Sequence, residues 1–493
     1  MNAALLPEGV NLAHPDKLYI GGEWVDSTSG SMLEIVNPNS EEVVARVAEA
    51  GKGDMDRAVA AAREAFDHGP WPSTPPAERA QKLMAMIEHM EPRVMELARA
   101  WTAQIGGLAS FAPIMHGGSV AGLKGIAALG ETFDWVTERK GDSVGSVIVA
   151  REPVGVVAGI APWNAPFGIM ANKVFYSLVA GCTIVMKPSP ETPLEAYIIA
   201  EAAEAAGIPP GVVNLVPGER EAADHLVNNP GVDKVSFTGS TLAGKRIAEV
   251  CGSRIARCSL ELGGKSAAIV RDDFPIEAAA NILGNTITIL SGQVCAMLSR
   301  AIVTRDRHDE LAEAIKGVME GIRIGNSDDP ATQLGPLAMK RQLERVEMYI
   351  EEGRKSADLV TGGQRPAHMN KGYFMEPTLF ANVDNTSRIA QEEIFGPVLC
   401  LIPAEDEEDA IRIANESNYG LNGAVFTSDP QVAYDIARRV RTGVVGQNGM
   451  KMEWSAPFGG FKQSGIGREG GEEGLWPYLE TKAILLDEAP ASL

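Results

Sequence analysis

The chain has 493 residues, 45% of them hydrophobic and 22% charged, which are the proportions of a globular protein with enough apolar material for more than one core. Its 65 acidic side chains outnumber 44 basic ones, for a formal net charge of -21. That balance argues against nucleic acid or an anionic membrane surface as a partner, because either would need a basic footprint and no Lys/Arg run supplies one.

The opening stretch "MNAALLPEGVNLAHPDK" has neither a basic n-region nor a long apolar h-region. No apolar run reaches the roughly 18 residues of a membrane helix, so a cytoplasmic protein is expected. The five cysteines (Cys182, Cys251, Cys258, Cys295 and Cys400) are scattered without Cys-x-x-Cys spacing, and the seven histidines are equally dispersed. Neither a disulfide framework nor a metal site is expected.

In chain order, "GDMDRAVAAAREAFDHGP" sets Met55, Val59, Ala62 and Phe66 at helical spacing, with Asp54 as the expected cap and Gly69-Pro70 as the stop. Turn residues between extended runs over Trp135 to Val154 predict a projecting hairpin and a candidate oligomer contact. From Pro153 the β-branched runs "PVGVVAGI", "CTIVMKP", "VVNLVPG" and "VDKVSFTGS" alternate with Ala-rich helical stretches, the pattern of βαβ units on a parallel sheet. Ligands of such sheets sit beyond the carboxyl ends of the strands. Attention therefore falls on "APWNAPF", "KPSPETP", "PGEREAA" and "FTGSTLAG". In the last of these, Gly239 and Gly244 flank a Ser-Thr pair where a helix N-terminus could receive a phosphate, or could simply make a tight turn. "ELGGKSAAIVRDD" permits a change of direction at Gly263-Gly264, and the segments from "TQLGPLAMK" to "ARRVRTGVVGQNG" read as a second α/β unit.

Cys295, in "GQVCAMLSR", is either a buried apolar side chain or a nucleophile with helpers elsewhere. A thiolate attacking a carbonyl needs a donor for the oxyanion and, for thioester hydrolysis, a base for water. Asn164, between two prolines in "PWNAP", is the donor candidate, the alternative being a loop Asn that satisfies its own backbone. Glu261, a carboxylate inside the apolar run "SLELGG", is the base candidate, the alternative being a structural ion pair.

With "PWN", "FTGST", "LELGGK", "GQVC", "EEIFGPV" and "PFGGFKQSGIGRE" occurring in this order, the chain resembles the NAD(P)-dependent aldehyde dehydrogenase superfamily over nearly its whole length. The resemblance implies an α/β fold with three parts. A Rossmann-like cofactor domain would span residues 1–132 and 153–262, an α/β catalytic domain 263–465, and a small β oligomerisation arm with the C-terminal tail 133–152 and 466–493. Homodimers or homotetramers are implied.

The same resemblance makes Cys295 the nucleophile, Asn164 the oxyanion donor and Glu261 the base, with Lys173 and Glu469 relaying the proton. It assigns Ile160, Trp163, Lys187, Gly239, Ser240, Gly244, Glu393 and Phe395 to the cofactor, with Glu393 gripping the nicotinamide ribose. NAD is the favoured cofactor. NADP stays open, because Pro190 stands where many NAD-preferring members carry a ribose-binding Glu, with Glu191 beside it and Arg220 in a neighbouring loop.

Small residues at Ala165 and Gly168, with Ile169, Asn172 and Val294, would leave room in the substrate tunnel, while Met452, Trp454 and Phe458 would supply apolar walls. A bulky or hydrophobic aldehyde is the expected substrate: aromatic, terpenoid or medium-chain. Two rival readings share the fold: a CoA-acylating dehydrogenase, disfavoured by a hydrolytic base at Glu261, and a non-catalytic binding protein, disfavoured by intact Cys295, Asn164 and Glu261. A third, an unrelated nucleotide-binding module with a buried core Cys, would leave Cys295 inert to iodoacetamide.

Overall fold

The computed structural model describes residues 5–491. Two largely parallel sheets carry the molecule. In the first, the strands run Gly465–Ile466, Arg257–Glu261, Lys234–Thr238, Val156–Ile160, Thr183–Lys187, Val213–Leu215, Leu18–Ile20 and Glu23–Val25 across the sheet. The five central strands are parallel. Every residue of Val156–Ile160, Thr183–Lys187 and Lys234–Thr238 is buried. Helices cover both faces of such a sheet, which is why these strands read as continuous apolar runs instead of alternating ones.

From Val156–Ile160 the chain winds outward one way through Thr183–Lys187 and Val213–Leu215, then returns to place Lys234–Thr238 and Arg257–Glu261 on the other flank. The order reverses between Val156–Ile160 and Lys234–Thr238, the switch point beyond whose carboxyl strand ends such sheets take their ligands. Helix Pro166–Ala180 begins with Pro at its first position and stops at Gly181 in the left-handed region (φ 92°), start and stop signals that the sequence supplies directly.

The second sheet has the order Asp358–Thr361, Thr378–Ala381, Val398–Ala404, Leu298–Thr304, Ser266–Val270, Gly423–Phe426 and Gly446–Gln447. All its neighbours are parallel except Asp358–Thr361. Strand Arg257–Glu261 passes into Ser266–Val270 through Leu262-Gly263-Gly264-Lys265, so carboxyl ends of the first sheet face amino ends of the second. The expected hairpin forms from Val136–Lys140 and Ser146–Pro153, and Leu479–Leu486 adds a third antiparallel strand. Gly465–Ile466 pairs with the first sheet, so the boundary expected at 465 falls inside a strand of that sheet.

One local expectation is corrected. Helix Lys52–Asp67 is capped by Gly51, not Asp54. Asp54 lies inside the first turn, fully buried, where its carboxylate accepts from Gly51 N and Thr28 N and so serves two orphan donors at once. The stretch "ARRVRTGVVGQNG" mixes helix and strand as expected: it starts on the last residue of helix Pro430–Ala437 and carries strand Gly446–Gln447. Among the described residues no helix is long and apolar enough to cross a membrane, and no group of three or more His, Cys, Asp or Glu could hold a metal.

Candidate active site

Cys295 sits between the short helical turn Ile289–Gly292 and strand Leu298–Thr304, at an amino end of the second sheet. The turn is unusual: Leu290, Ser291 and Gly292 are consecutive left-handed residues with φ of 48°, 54° and 74°. Two of them are not glycine, and such conformations persist only where the surroundings over-determine them. Here the Ser291 hydroxyl donates to Gly335 O at 2.8 Å, and Gln293 Nε2 donates to Leu290 O at 2.9 Å. A Cβ on Gly292 would lie 2.1 Å from Gly396 O, so the turn is pressed against the segment that carries Phe395.

Asn164 follows strand Val156–Ile160 and is buried. Its Nδ2 donates to the carbonyl of Gln293 at 2.9 Å, tying the first sheet to the cysteine loop and leaving the second N–H of the amide for a ligand.

Glu261 ends strand Arg257–Glu261 and is 3% exposed, yet neither carboxylate oxygen has a hydrogen-bond partner among the described residues. The glycine-rich C-terminal loop makes room for it: a Cβ on Gly459 would lie 2.6 Å from Glu261 Oε1. Burial, then the nearby Glu469 carboxylate, holds the Glu261 acid well above the usual carboxylate range, against Lys173 and Arg468. Lys173 is fully buried and donates to Glu469 at 2.5 Å and to Ser236 Oγ at 3.3 Å. Ser236 Oγ in turn meets Tyr478 OH at 2.9 Å. Polar groups thus lead away from Glu261 through the first sheet.

The Cys295 thiol is half-buried and pushed up to about 12, by burial first and then by the carboxylates of Glu393 and Glu261. It is protonated at neutral pH, so attack on a carbonyl requires a base.

At the crevice of the first sheet, Lys187 ends Thr183–Lys187, buried and brought down to about 8 by desolvation against the pull of Glu191 and Glu219. Ile160 ends strand Val156–Ile160, and Gly239 follows the end of its neighbour Lys234–Thr238. Ser240 caps helix Thr241–Arg254 by accepting from Ala243 N at 3.3 Å. Thr238 Oγ1 is buried beside them without a partner among the described residues. Gly244 stands apart from this group, because its N–H already donates to Ser240 O and its bare Cα seats Leu262, whose side chain would meet a Cβ at 2.5 Å. Glu393 accepts from Gly264 N at 3.1 Å, and a Cβ on Gly263 would lie 2.2 Å from its other oxygen. Phe395, left-handed at φ 62°, meets Trp163 edge-on at 5.3 Å. Strand ends, an uncapped hydroxyl, a buried ammonium and a carboxylate thus converge where a dinucleotide would lie across both sheets.

A profile of the aldehyde dehydrogenase family matches residues 24–484. The chain belongs to the aldehyde dehydrogenase family. It is 43% identical over 470 residues to a geranial dehydrogenase of Castellaniella defragrans, covering 95% of this chain and 98% of that one. It is 39% identical to a 3-succinoylsemialdehyde-pyridine dehydrogenase of a Pseudomonas species, at the same coverage. Among solved structures it resembles a Mycobacterium tuberculosis aldehyde dehydrogenase complexed with NAD+, with TM-score 0.94 and 42% identity over 98% of this chain and 100% of that one. It also resembles a cysteine-to-alanine mutant of aldehyde dehydrogenase C from Pseudomonas syringae with NAD+ and octanal, with TM-score 0.93 and 38% identity over 98% and 99%.

In this aldehyde dehydrogenase the expected tunnel residues occupy two environments. Ala165, Gly168, Ile169 and Asn172, at the start of helix Pro166–Ala180, and Val294 beside the nucleophile are half-buried. A Cβ on Gly168 would lie 3.1 Å from Ser119 Oγ of helix Ala112–Thr132. Phe458 is half-buried and fixed by a backbone bridge to Glu469. Met452 and Trp454 are both exposed, at 58% and 45%, so neither encloses a tunnel in this chain, although the Trp454 indole lies against Gly122, whose Cβ would meet it at 3.1 Å. Sequence reasoning passed over Gln293, although "GQVC" contains it. It also passed over Trp101, whose indole donates to Asn164 O at 3.0 Å and which no motif marks.

Proposed function

We propose that this aldehyde dehydrogenase oxidises a bulky, hydrophobic aldehyde, of terpenoid, aromatic or medium-chain type, to the free acid with NAD through a thioester on Cys295. The observation that carries the reading is the buried, partnerless Glu261 carboxylate bearing on the Cys295 thiol. An enzyme that passed its acyl group to CoA would have less use for such a base.

Cys295 gives up its proton to a water molecule and its sulfur attacks the aldehyde carbon. The negative charge forming on oxygen is received by the free N–H of the Asn164 amide and the Cys295 backbone N–H, worth roughly 3–4 kcal/mol for one well-placed donor. NAD, when bound, would accept the hydride whose loss turns the adduct on Cys295 into the thioester; Glu393 and Lys187 would hold its riboses, and Ile160, Trp163, Gly239, Ser240 and Phe395 would line its path. Glu261 then takes a proton from water as the water attacks the thioester carbon, releasing the carboxylic acid and restoring the thiol. The proton leaves toward Glu469 and Lys173.

NAD is supported by the NAD+ complexes of the structures this chain resembles. Glu191 is bound by Ser189 and Arg341, so a free ribose-binding carboxylate beside Lys187 is not what supports it. The substrate class is supported by the likeness to a geranial dehydrogenase and by small side chains at Ala165 and Gly168. Exposed Val136, Ile484 and Leu485 on the three-stranded sheet support self-association through that arm.

The test is turnover of geranial, benzaldehyde, octanal and acetaldehyde with NAD or NADP, with and without CoA. Geranial or octanal oxidised to free acid with NAD, without need of CoA, is the expected result. Preference for acetaldehyde, or an absolute need for CoA, overturns the reading.

A further inference from the structure

An oxyanion donor is useful only if its N–H direction is fixed, and the terminal torsion of an asparagine is soft. Asn164 is held from both ends. Its Nδ2 donates to Gln293 O at 2.9 Å, and because the acceptor is a carbonyl, the amide can face only one way. Its own backbone carbonyl accepts the indole N–H of Trp101 at 3.0 Å. Gln293 is fully buried, and its Oε1 accepts from Ala338 N at 2.9 Å. Ala338 belongs to the same small apolar cluster as Trp101, against which Leu290 of the left-handed turn also packs. The contacts close on themselves: Trp101, Asn164, Gln293, Ala338 and back to Trp101.

Trp101 is 1% exposed, and its ring is penned in. A Cβ on Gly107 would lie 2.0 Å from it, and His116 meets it edge-on at 5.8 Å. Packing alone would be served by any large apolar side chain. An indole whose N–H ends on Asn164 O does something an apolar ring cannot: it fixes the backbone from which the oxyanion amide projects.

We propose that Trp101 is a positioning residue for the oxyanion site, acting through Asn164 and closed by Gln293. This rests on the reading of Asn164 as the oxyanion donor. Loss of the indole N–H leaves the cluster filled and Asn164 O without its donor, so the amide wanders while the aldehyde and cofactor still bind.

The test is a double-mutant cycle on octanal oxidation with NAD, using W101F, N164A and the pair. Removing the amide donor should lower kcat by about 10²–10³. W101F should lower kcat about tenfold with KM for octanal and NAD within about twofold, and the double variant should be no slower than N164A alone. Should W101F fold poorly, β-(3-benzothienyl)alanine installed at position 101 keeps the shape and replaces only the N–H, and it should reproduce the kcat loss. Wild-type kcat in either Trp101 variant, or losses that multiply in the double variant, overturns the proposal. N164A turning over at the wild-type rate overturns the oxyanion reading itself, and this inference with it.

Discussion

The two parallel sheets present opposite ends to the active site, and that difference governs how each contributes. The first sheet offers carboxyl ends: Ile160, Lys187, Thr238 and Glu261 are the last residues of regular, fully paired strands. The second offers amino ends, so Cys295, Glu393 and Gly264 lie in the irregular segments that lead into its strands. Positions on strand ends come from hydrogen-bonded ladders. The leading segments have no ladder, and their geometry is enforced by left-handed residues and bare glycines: Leu290, Ser291 and Gly292 on one side, Phe395 and Gly396 on the other. The first sheet positions by regularity and the second by constraint.

That contrast is sharpest at Gly292. A side chain there would meet both a φ of 74° and the Gly396 carbonyl at 2.1 Å, so Gly292→Ala should cost about 1–3 kcal/mol of stability and most of the activity. Thermal unfolding and turnover check it. A variant as stable and active as wild type would mean the turn is not under constraint.

The next effect concerns the thiol. Glu393 helps hold Cys295 up, so Glu393→Gln removes a negative neighbour and should lower the thiol pKa, raising the rate of iodoacetamide labelling of Cys295 at pH 8 by up to about tenfold. In wild type the labelling rate should keep rising with pH toward about 12. Unchanged labelling in the variant would place Glu393 out of reach of the sulfur.

The smallest effect separates a poised base from a structural ion pair at Glu261. Its folded-state pKa is raised, so the folded protein holds that proton more tightly than the unfolded chain does, and this contribution to stability is present at low pH and lost as pH rises above the ordinary carboxylate value. Glu261→Gln should therefore be as stable as wild type near pH 4 and more stable than wild type at pH 8, which thermal unfolding at the two pH values checks. Destabilisation at pH 8 would mark Glu261 as half of an ion pair.

The same asymmetry explains what is legible in the sequence. Continuous β-branched runs disclose the first sheet, and the family resemblance then locates Asn164, Lys187 and Glu261 at the ends of those runs. Asp54 reads as a cap because a carboxylate at the helix start satisfies donors equally well from inside the first turn. The second sheet's contribution is harder to see. Cys295 stands out only by residue type and motif, and nothing local announces three left-handed residues before it. Gln293 and Trp101 are invisible as functional residues because their roles are hydrogen bonds across 129 and 63 positions of chain. Gly244 reads as a phosphate-loop glycine, whereas its constraint is the side chain of Leu262.

The most direct test of the account is rapid-mixing formation of reduced nicotinamide by Glu261→Gln with octanal and NAD, beside Cys295→Ala. If Glu261 serves thioester hydrolysis, the Gln variant gives a burst close to one equivalent per active site, then turnover slowed by about 10²–10⁴, with an acyl adduct on Cys295 visible by mass spectrometry. Cys295→Ala gives neither burst nor adduct. A Glu261→Gln enzyme that turns over at the wild-type rate without accumulating an acyl adduct would contradict the claim that this partnerless carboxylate is the hydrolytic base.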